Sequence, residues 1–364
     1  MSPQINISNR ALSRDILSFF NDIASMKKRS RARLWISFVL IAGMALFAAG
    51  LVGRWYLFER PLPFKSDRVE FRVSAGSSVR SIAQAAQAAG IELNADAMVA
   101  AARLAGTSQS LRAGRYSVER GITLSGLLAK LQAGDVIRER LTVVEGIAFR
   151  EMQALLSAQT QLKQDSALMS AEELLKAVGA SETHPEGLFA PETYVYDPGI
   201  SDLEIYRQAY RAQMKLLHET WAARNPDLPY ATPYEALIMA SIIEKETGHA
   251  SERPMIAGVF VNRLRLGMLL QTDPSVIYGM GAAFDGNLRK RDLLADGPYN
   301  SYTRAGLPPT PIALPGRASI EAALRPANTS ALYFVSRGDG TSHFSATLAE
   351  HNRAVDAYQR CCRR

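Results

Sequence analysis

"ATPYEALIMASIIEKETG", residues 231–248, reads as one buried helix that carries its own punctuation. Thr232 is a good N-cap, Pro233 suits the first helical position, and Glu235 follows Thr232 at capping-box spacing. Gly248 is placed to take a left-handed C′ conformation. The expected helix covers about residues 233–247, roughly four turns. Between the caps, Ala236 to Ala240 and Ile242–Ile243 leave no polar face, and a helix apolar all round belongs inside a core. It nevertheless ends on two carboxylates, Glu244 and Glu246.

Carboxylates there are half desolvated and sit beside the negative pole of the helix dipole. Both effects disfavour the charged form and raise a carboxyl's pKa, which suits a general acid working near neutral pH. The ordinary reading is also open: Glu is a strong helix former, last turns are often exposed, and Lys245 stands between the two to neutralise them. The two side chains point ~200° apart around the helix, so only one can face a given cleft. Glu246 continues the row of Met239, Ile242 and Ile243; Glu244 continues Leu237, Ala240 and Ser241.

Downstream, "SERP" places Ser251 as a cap and Pro254 in the first turn of a helix over residues 254–266, with Ile256, Phe260 and Leu264 at core spacing. Arg263 and Arg265 read as solvated or salt-bridged, and Gly267 ends the helix. "LLQTDPSVIYG" then presents Gln271, Thr272, Asp273 and Tyr278 on a turn and a short helix. Residues 297–316, "GPYNSYTRAGLPPTPIALPG", form a rigid polar and aromatic loop. Its tyrosines and Asn300 suit a sugar, stacking on ring faces and bonding ring edges, or serve as props of a surface Ω-loop. "ALYFVSRGDGTSHFSATLAEHNRAV" gives a strand, a glycine turn, the segment "HFS" and a helix; its His343, lacking a partner at ligand spacing, reads as structural. No metal, phosphate-loop or serine-elbow motif is present, so no metal or cofactor is expected.

Upstream, "HPEGLFAPETYVYDPG", residues 184–199, is an ordered extended loop, and residues 202–224 an amphipathic helix. "REMQALLSAQ" and "AEELLKAVGA" are short helices. Residues 68–143 read as a small α+β module: strand, helix, a second helix over 96–105, strand, a turn at Gly121, a helix ending at Gly134, and a closing strand. "GRYSVERGITLSGLLAKLQAG" within it resembles the LysM-like modules of some wall enzymes.

The chain of 364 residues carries a net charge of +7, but residues 1–33 alone hold seven basic and two acidic residues. The remainder is nearly neutral and leaves no nucleic-acid footprint. After that basic head, "LWISFVLIAGMALFAAGLVG", Leu34–Gly53, contains no charge and is about 30 Å long as a helix, enough to cross a hydrocarbon core. Trp35, Trp55 and Tyr56 flank it as an aromatic belt does. It is too long for a signal-peptide core and is followed by Arg54 rather than a cleavage site. The expected organisation is a cytoplasmic head over 1–33, a transmembrane helix over 34–57, a linker over 58–67, the module over 68–143, and a mainly helical α+β domain over 144–360, all exported beyond the span. The two cysteines, Cys361 and Cys362, form neither a disulfide framework nor a metal quartet.

Taken in order, "LIMASIIEKETG", "ASERPMIAGVFVNRLRLGMLLQTDPSVIYG", "PYNSYTRAGLPPTPIALPG" and "LYFVSRGDGTSHFSATLAEHN" resemble the YceG-like family of endolytic murein transglycosylases, over about residues 30–355. The resemblance implies a single-pass inner-membrane enzyme with a periplasmic catalytic domain. Such an enzyme cuts peptidoglycan strands between N-acetylmuramic acid and N-acetylglucosamine and leaves a 1,6-anhydromuramic end. In the wider lytic transglycosylase class the catalytic Glu precedes a Ser; here that pattern falls on Glu246–Thr247 and selects Glu246. It also makes Gln271, Thr272, Tyr278, Tyr299, Asn300 and Tyr302 the candidate substrate-binding residues, and a penicillin-binding protein an expected partner. A membrane-tethered wall-binding scaffold without catalysis is the competing expectation.

Overall fold

The computed structural model describes Trp35 and residues 37–360. The basic head expected over 1–33 and the Cys361–Cys362 pair lie outside the described residues. The first element, α1 (Ser37–Phe58), has 22 residues and a mean hydropathy of 1.8, none of it buried. By length and composition it can cross a membrane. Beyond it the chain forms two compact units that divide between Ile137 and Arg138.

The first unit pairs β1 (Arg68–Val73) antiparallel to β2 (Gly114–Glu119), with Phe71 opposite Tyr116. Helices α2 (Val79–Ala88) and α3 (Ala95–Leu104) lie between these strands in sequence, and α4 (Leu124–Ala133) follows. Val69, Phe71 and Val73 alternate inward along β1 and meet Ile82, Met98, Leu127 and Leu131 in one core. Thr123 caps α4, and Gly134, at φ +68°, ends it in the left-handed conformation that its position in the sequence called for.

The second unit begins with β3 (Glu139–Thr142), which pairs antiparallel with β4 (Thr193–Tyr196). This corrects one expectation. The strand assigned to the end of the small module belongs with the "ETYVY" segment more than fifty residues downstream, because Leu141 and Tyr194 bury their side chains in the second unit's core. Helices α5 (Phe149–Ser157) and α6 (Ala171–Val178) separate the two strands. The long α7 (Asp202–Ala222) leads to α8 (Pro233–Glu246), the helix of the opening motif. Next come α9 (Arg253–Arg265), α10 (Asp273–Met280), the short α11 (Lys290–Leu294) and α12 (Arg317–Leu324). A hairpin of β5 (Tyr333–Ser336) and β6 (Ser342–Ser345) and then α13 (Leu348–Val355) close the unit.

Every residue of α8 from Ala236 to Ile243 is buried, and α12, α7, α9 and α10 pack around it. Thr232 accepts from the Glu235 N–H at 3.2 Å, while Glu235 reaches back to the Ala231 N–H at 2.6 Å, one residue beyond the expected box. The other end departs from expectation. Thr247 is extended (φ −145°, ψ 134°), and Gly248 does not adopt a left-handed conformation. The chain leaves α8 straight into a short 3₁₀ turn, Ala250–Glu252, that feeds α9. Ser251 lies inside that turn, so it does not cap α9.

Candidate active site

The last turn of α8 sends its two carboxylates into opposite environments. The Glu244 side chain is 5% exposed and fully engaged. Its Oε1 lies 3.0 Å from Arg253 Nη2, and its Oε2 accepts the Gly316 N–H at 2.9 Å. At Gly316 a Cβ would fall 1.8 Å from Glu145 Oε1, so any larger residue would displace the half-exposed Glu145 side chain. Lys245 does not neutralise either neighbour: its ammonium donates to the Gly146 carbonyl at 3.0 Å.

Glu246 faces a cleft of about 360 Å³ lined also by Arg263, Gln271, Asp273, Tyr302, Tyr333 and His351. Burial pushes its carboxyl up to about 7; the Thr272 hydroxyl opposes that shift, Asp273 adds to it and Arg263 opposes it. Thr272 Oγ1 donates to Glu246 Oε1, leaving Oε2 as the oxygen that can carry a proton toward a ligand.

A dedicated backbone arrangement holds Thr272. Gln271, just before it, has φ +52°, a left-handed conformation that side-chain-bearing residues seldom occupy and that costs ~1–3 kcal/mol. Ser301 clamps this strained pair: its carbonyl accepts the Gln271 N–H at 3.1 Å and its hydroxyl the Thr272 N–H at 2.9 Å. Ser275 donates to the Thr272 carbonyl at 2.9 Å. The "QTDPS" turn and the "YNSY" loop, distant in sequence, therefore form one rigid support beneath the Glu246 carboxyl.

Of the six expected substrate-binding residues, Gln271 and Tyr302 line this cleft and Thr272 bonds Glu246. Tyr302 donates to Asp273 Oδ1. The other three lie elsewhere. Asn300 is 5% exposed, and its amide donates to the carbonyls of Asp292, Leu293 and Ala295, closing the loop after α11. Tyr299 pairs its hydroxyl with Thr310 at 2.9 Å and packs edge-to-face on Tyr278. Tyr278 donates to Glu186 at 3.0 Å. Glu186 itself is a buried carboxyl that also accepts the Phe149 N–H at 2.8 Å, and burial pushes it up to about 7. It lies outside the Glu246 cleft lining. His343 stands on β6 against Tyr358, likewise outside it.

Sequence reasoning missed the opposite wall. Arg263, read as solvated or salt-bridged, is instead buried, with its guanidinium on three carbonyls and over the Tyr333 ring. His351 stacks on the other neighbour of this wall, Tyr333, at 5.2 Å between ring centres; burial and the nearby Arg263 hold its pKa below the ordinary value. The available signal was helical spacing: Leu348 and His351 are three apart after the Thr347 cap and share a face. Glu252 fixes the hairpin that carries Tyr333, accepting from Ser342 N–H at 2.7 Å and Ser342 Oγ at 2.8 Å.

This buried carboxyl helix, with its threonine support and aromatic wall, lies within residues 71–357, which match the YceG-like family. The chain belongs to the YceG-like family. A relative named endolytic murein transglycosylase, from Bacillus subtilis (strain 168), is 32% identical over 330 residues, covering 85% of this chain and 91% of the relative. Another of the same name, from Streptococcus pneumoniae strain D39, is 26% identical and matches 88% of this chain but 64% of its own greater length. Among solved structures, a YceG-like protein from Listeria monocytogenes superposes with a TM-score of 0.52 at 29% identity, covering 79% of this chain and 98% of that one.

Proposed function

We propose that the chain is a membrane-anchored endolytic lytic transglycosylase that cleaves the bond between N-acetylmuramic acid and N-acetylglucosamine in peptidoglycan strands. Glu246 is its single acid–base group. The observation that carries the reading is the Glu246 carboxyl itself: at the end of an apolar helix, facing a cleft, with burial raising it to about 7. The relatives' name for the reaction supports the same assignment.

The chemistry needs one carboxyl. Protonated Glu246 donates from Oε2 to the glycosidic oxygen as the C1–O bond breaks. The resulting carboxylate takes the proton of the muramyl C6 hydroxyl while that oxygen attacks C1, closing the 1,6-anhydro ring and returning Glu246 to its starting form. Glycosidases that use water or a covalent intermediate employ two carboxyls. Here Glu244 is committed to Arg253 and Gly316, and the internal nucleophile replaces a second acid. Thr272 keeps Oε1 occupied in both half-reactions, and its bond strengthens when the carboxylate forms. Gln271 and Tyr302 are the cleft groups we assign to the sugar edges. Tyr278, Tyr299 and Asn300 act by holding the support.

We further assign the N-terminus to the cytoplasm and both compact units to the periplasmic side of the inner membrane, on the basic head before the apolar span. The first unit is our candidate LysM-like wall-binding module, supported by its order of strand, two helices and strand. A peptidoglycan polymerase of the penicillin-binding class is the expected partner for an active site tethered where new strands emerge. A non-catalytic scaffold is disfavoured, since it gives no reason for a carboxyl kept protonated in a cleft. The test is mass spectrometry of muropeptides released from sacculi by the wild type and by Glu246→Gln. Anhydro-ended fragments from the wild type alone support the enzyme; equal release by both, or reducing-end products, refutes it.

A further inference from the structure

Helix α9 buries an arginine near each end, and the two are treated differently. Arg253 and Arg263 are each 8% exposed. Arg253 has carboxylate partners, Glu244 at 3.0 Å and Glu145 at 4.0 Å. For Arg263, no carboxylate among the described residues lies within ion-pair distance. Its Nε donates to the Leu332 carbonyl at 2.7 Å, and its Nη1 to the carbonyls of Leu270 at 2.9 Å and Leu269 at 3.3 Å. The Tyr333 ring lies 5.2 Å from the guanidinium carbon. These contacts fix the guanidinium plane without supplying a negative charge. Nη2 has no protein partner among the described residues and is not sealed from solvent, and the side chain lines the Glu246 cleft.

A desolvated cation without an anion is unfavourable, unless a ligand brings the missing charge. Neither acidic neighbour in the cleft supplies it: burial draws Glu246 toward its neutral form, and Asp273, which accepts from the Tyr302 hydroxyl, makes no ion pair with Arg263. A guanidinium held flat with one nitrogen free is a carboxylate receptor. The sugar rings of a peptidoglycan strand carry no ionised groups. Carboxylates reside on the lactyl–peptide branch at C3 of the muramyl ring, the ring whose C1 reacts.

We propose that Arg263 binds a carboxylate of this muramyl branch through Nη2, making the cleft selective for anionic strands. The proposal rests on the peptidoglycan reading of the Glu246 cleft. The carboxylate comes from one of two sources: the stem peptide, or the lactyl group itself where the peptide has been removed. A bound carboxylate also offsets the pull of Arg263 on Glu246, so that the ionised Glu246 stays basic enough for the second proton transfer.

The experiment is steady-state kinetics of the full-length wild type on three strand preparations: peptide-bearing, peptide-bearing with its carboxylates converted to neutral amides, and peptide-stripped. If the stem carboxylate is read, amidation and stripping each raise KM by ~10–100-fold with kcat little changed, the range of a charge-assisted hydrogen bond. If the lactyl carboxylate is read, amidation leaves KM unchanged and stripping lowers it by a similar factor. Equal KM on all three overturns the proposal while leaving the proposed function intact. If no preparation gives Glu246-dependent cleavage, both fall. Arg263→Lys should keep part of the discrimination and Arg263→Gln lose it. Because Arg263 also ties three carbonyls, the wild-type comparison decides without the variants.

Discussion

The two sides of the last turn of α8 differ more than their sequences do. On one side, Glu244 meets a buried arginine and a backbone N–H, and both its oxygens are engaged within the fold. On the other, Glu246 meets a hydroxyl and an open cleft whose arginine, Arg263, has no carboxylate of its own. The residue types are the same and lie two positions apart. A carboxylate paired at rest stabilises; one denied a partner and solvent keeps its proton and becomes reactive. The same contrast runs along α9, where Arg253 is spoken for and Arg263 is not.

The sharpest way to break this comparison is to neutralise each glutamate in turn. Glu246→Gln should lower turnover by ~10²–10⁴-fold, the usual worth of a positioned acid–base group, with an unchanged circular dichroism spectrum. Glu244→Gln should do the reverse. Leaving the buried Arg253 with only the more distant and half-exposed Glu145 should cost up to ~3–5 kcal/mol, seen as a lower urea midpoint, while activity per folded molecule stays near wild type. If Glu244→Gln abolishes cleavage in folded protein and Glu246→Gln does not, the assignment of the two sides is reversed.

Titration sharpens the contrast next. Because Glu246 must enter the reaction protonated and burial holds it near 7, kcat/KM should fall by about tenfold per pH unit above that value. Stability should move in the same sense. The folded carboxyl binds its proton more tightly than the unfolded one, whose ordinary pKa is 4.5, so wild-type stability declines as pH rises from about 4.5 to 7. Denaturant titrations across that window should show a shallower decline in Glu246→Gln. The smallest expected effect is at Thr272. Its hydroxyl favours the ionised carboxylate, so Thr272→Val should shift the alkaline limb of the pH–rate profile upward and slow turnover by ~3–10-fold. A limb that shifts downward would mean the hydroxyl has another role.

Much of this was legible in the chain. The order of strand, two helices, strand and a helix ending at Gly134 was readable for the first unit, and the all-apolar run from Ala236 to Ile243 declared a central helix. The cleft was only half legible. Gln271 and Thr272 stand in a visible turn, but their conformation depends on Ser301, far away in sequence. Asn300 and Tyr299 have the residue types of sugar ligands, yet they serve to close their own loop, because composition does not tell which way a side chain faces. The wall of Arg263, Tyr333 and His351 escaped notice because its members come from a helix, a hairpin and a C-terminal helix.

The sequence by itself determined that α8 would be buried, that it would end in two carboxylates on opposite faces, and that an apolar span precedes the two units. These are properties of neighbours along the chain, set by periodicity, capping and hydropathy. Only the tertiary structure decided that Glu244 would find Arg253 and Gly316 while Glu246 would find Thr272 and a cleft. A carboxyl's charge depends on desolvation and on charges a few Å away, and folding brings those groups from segments the sequence keeps far apart.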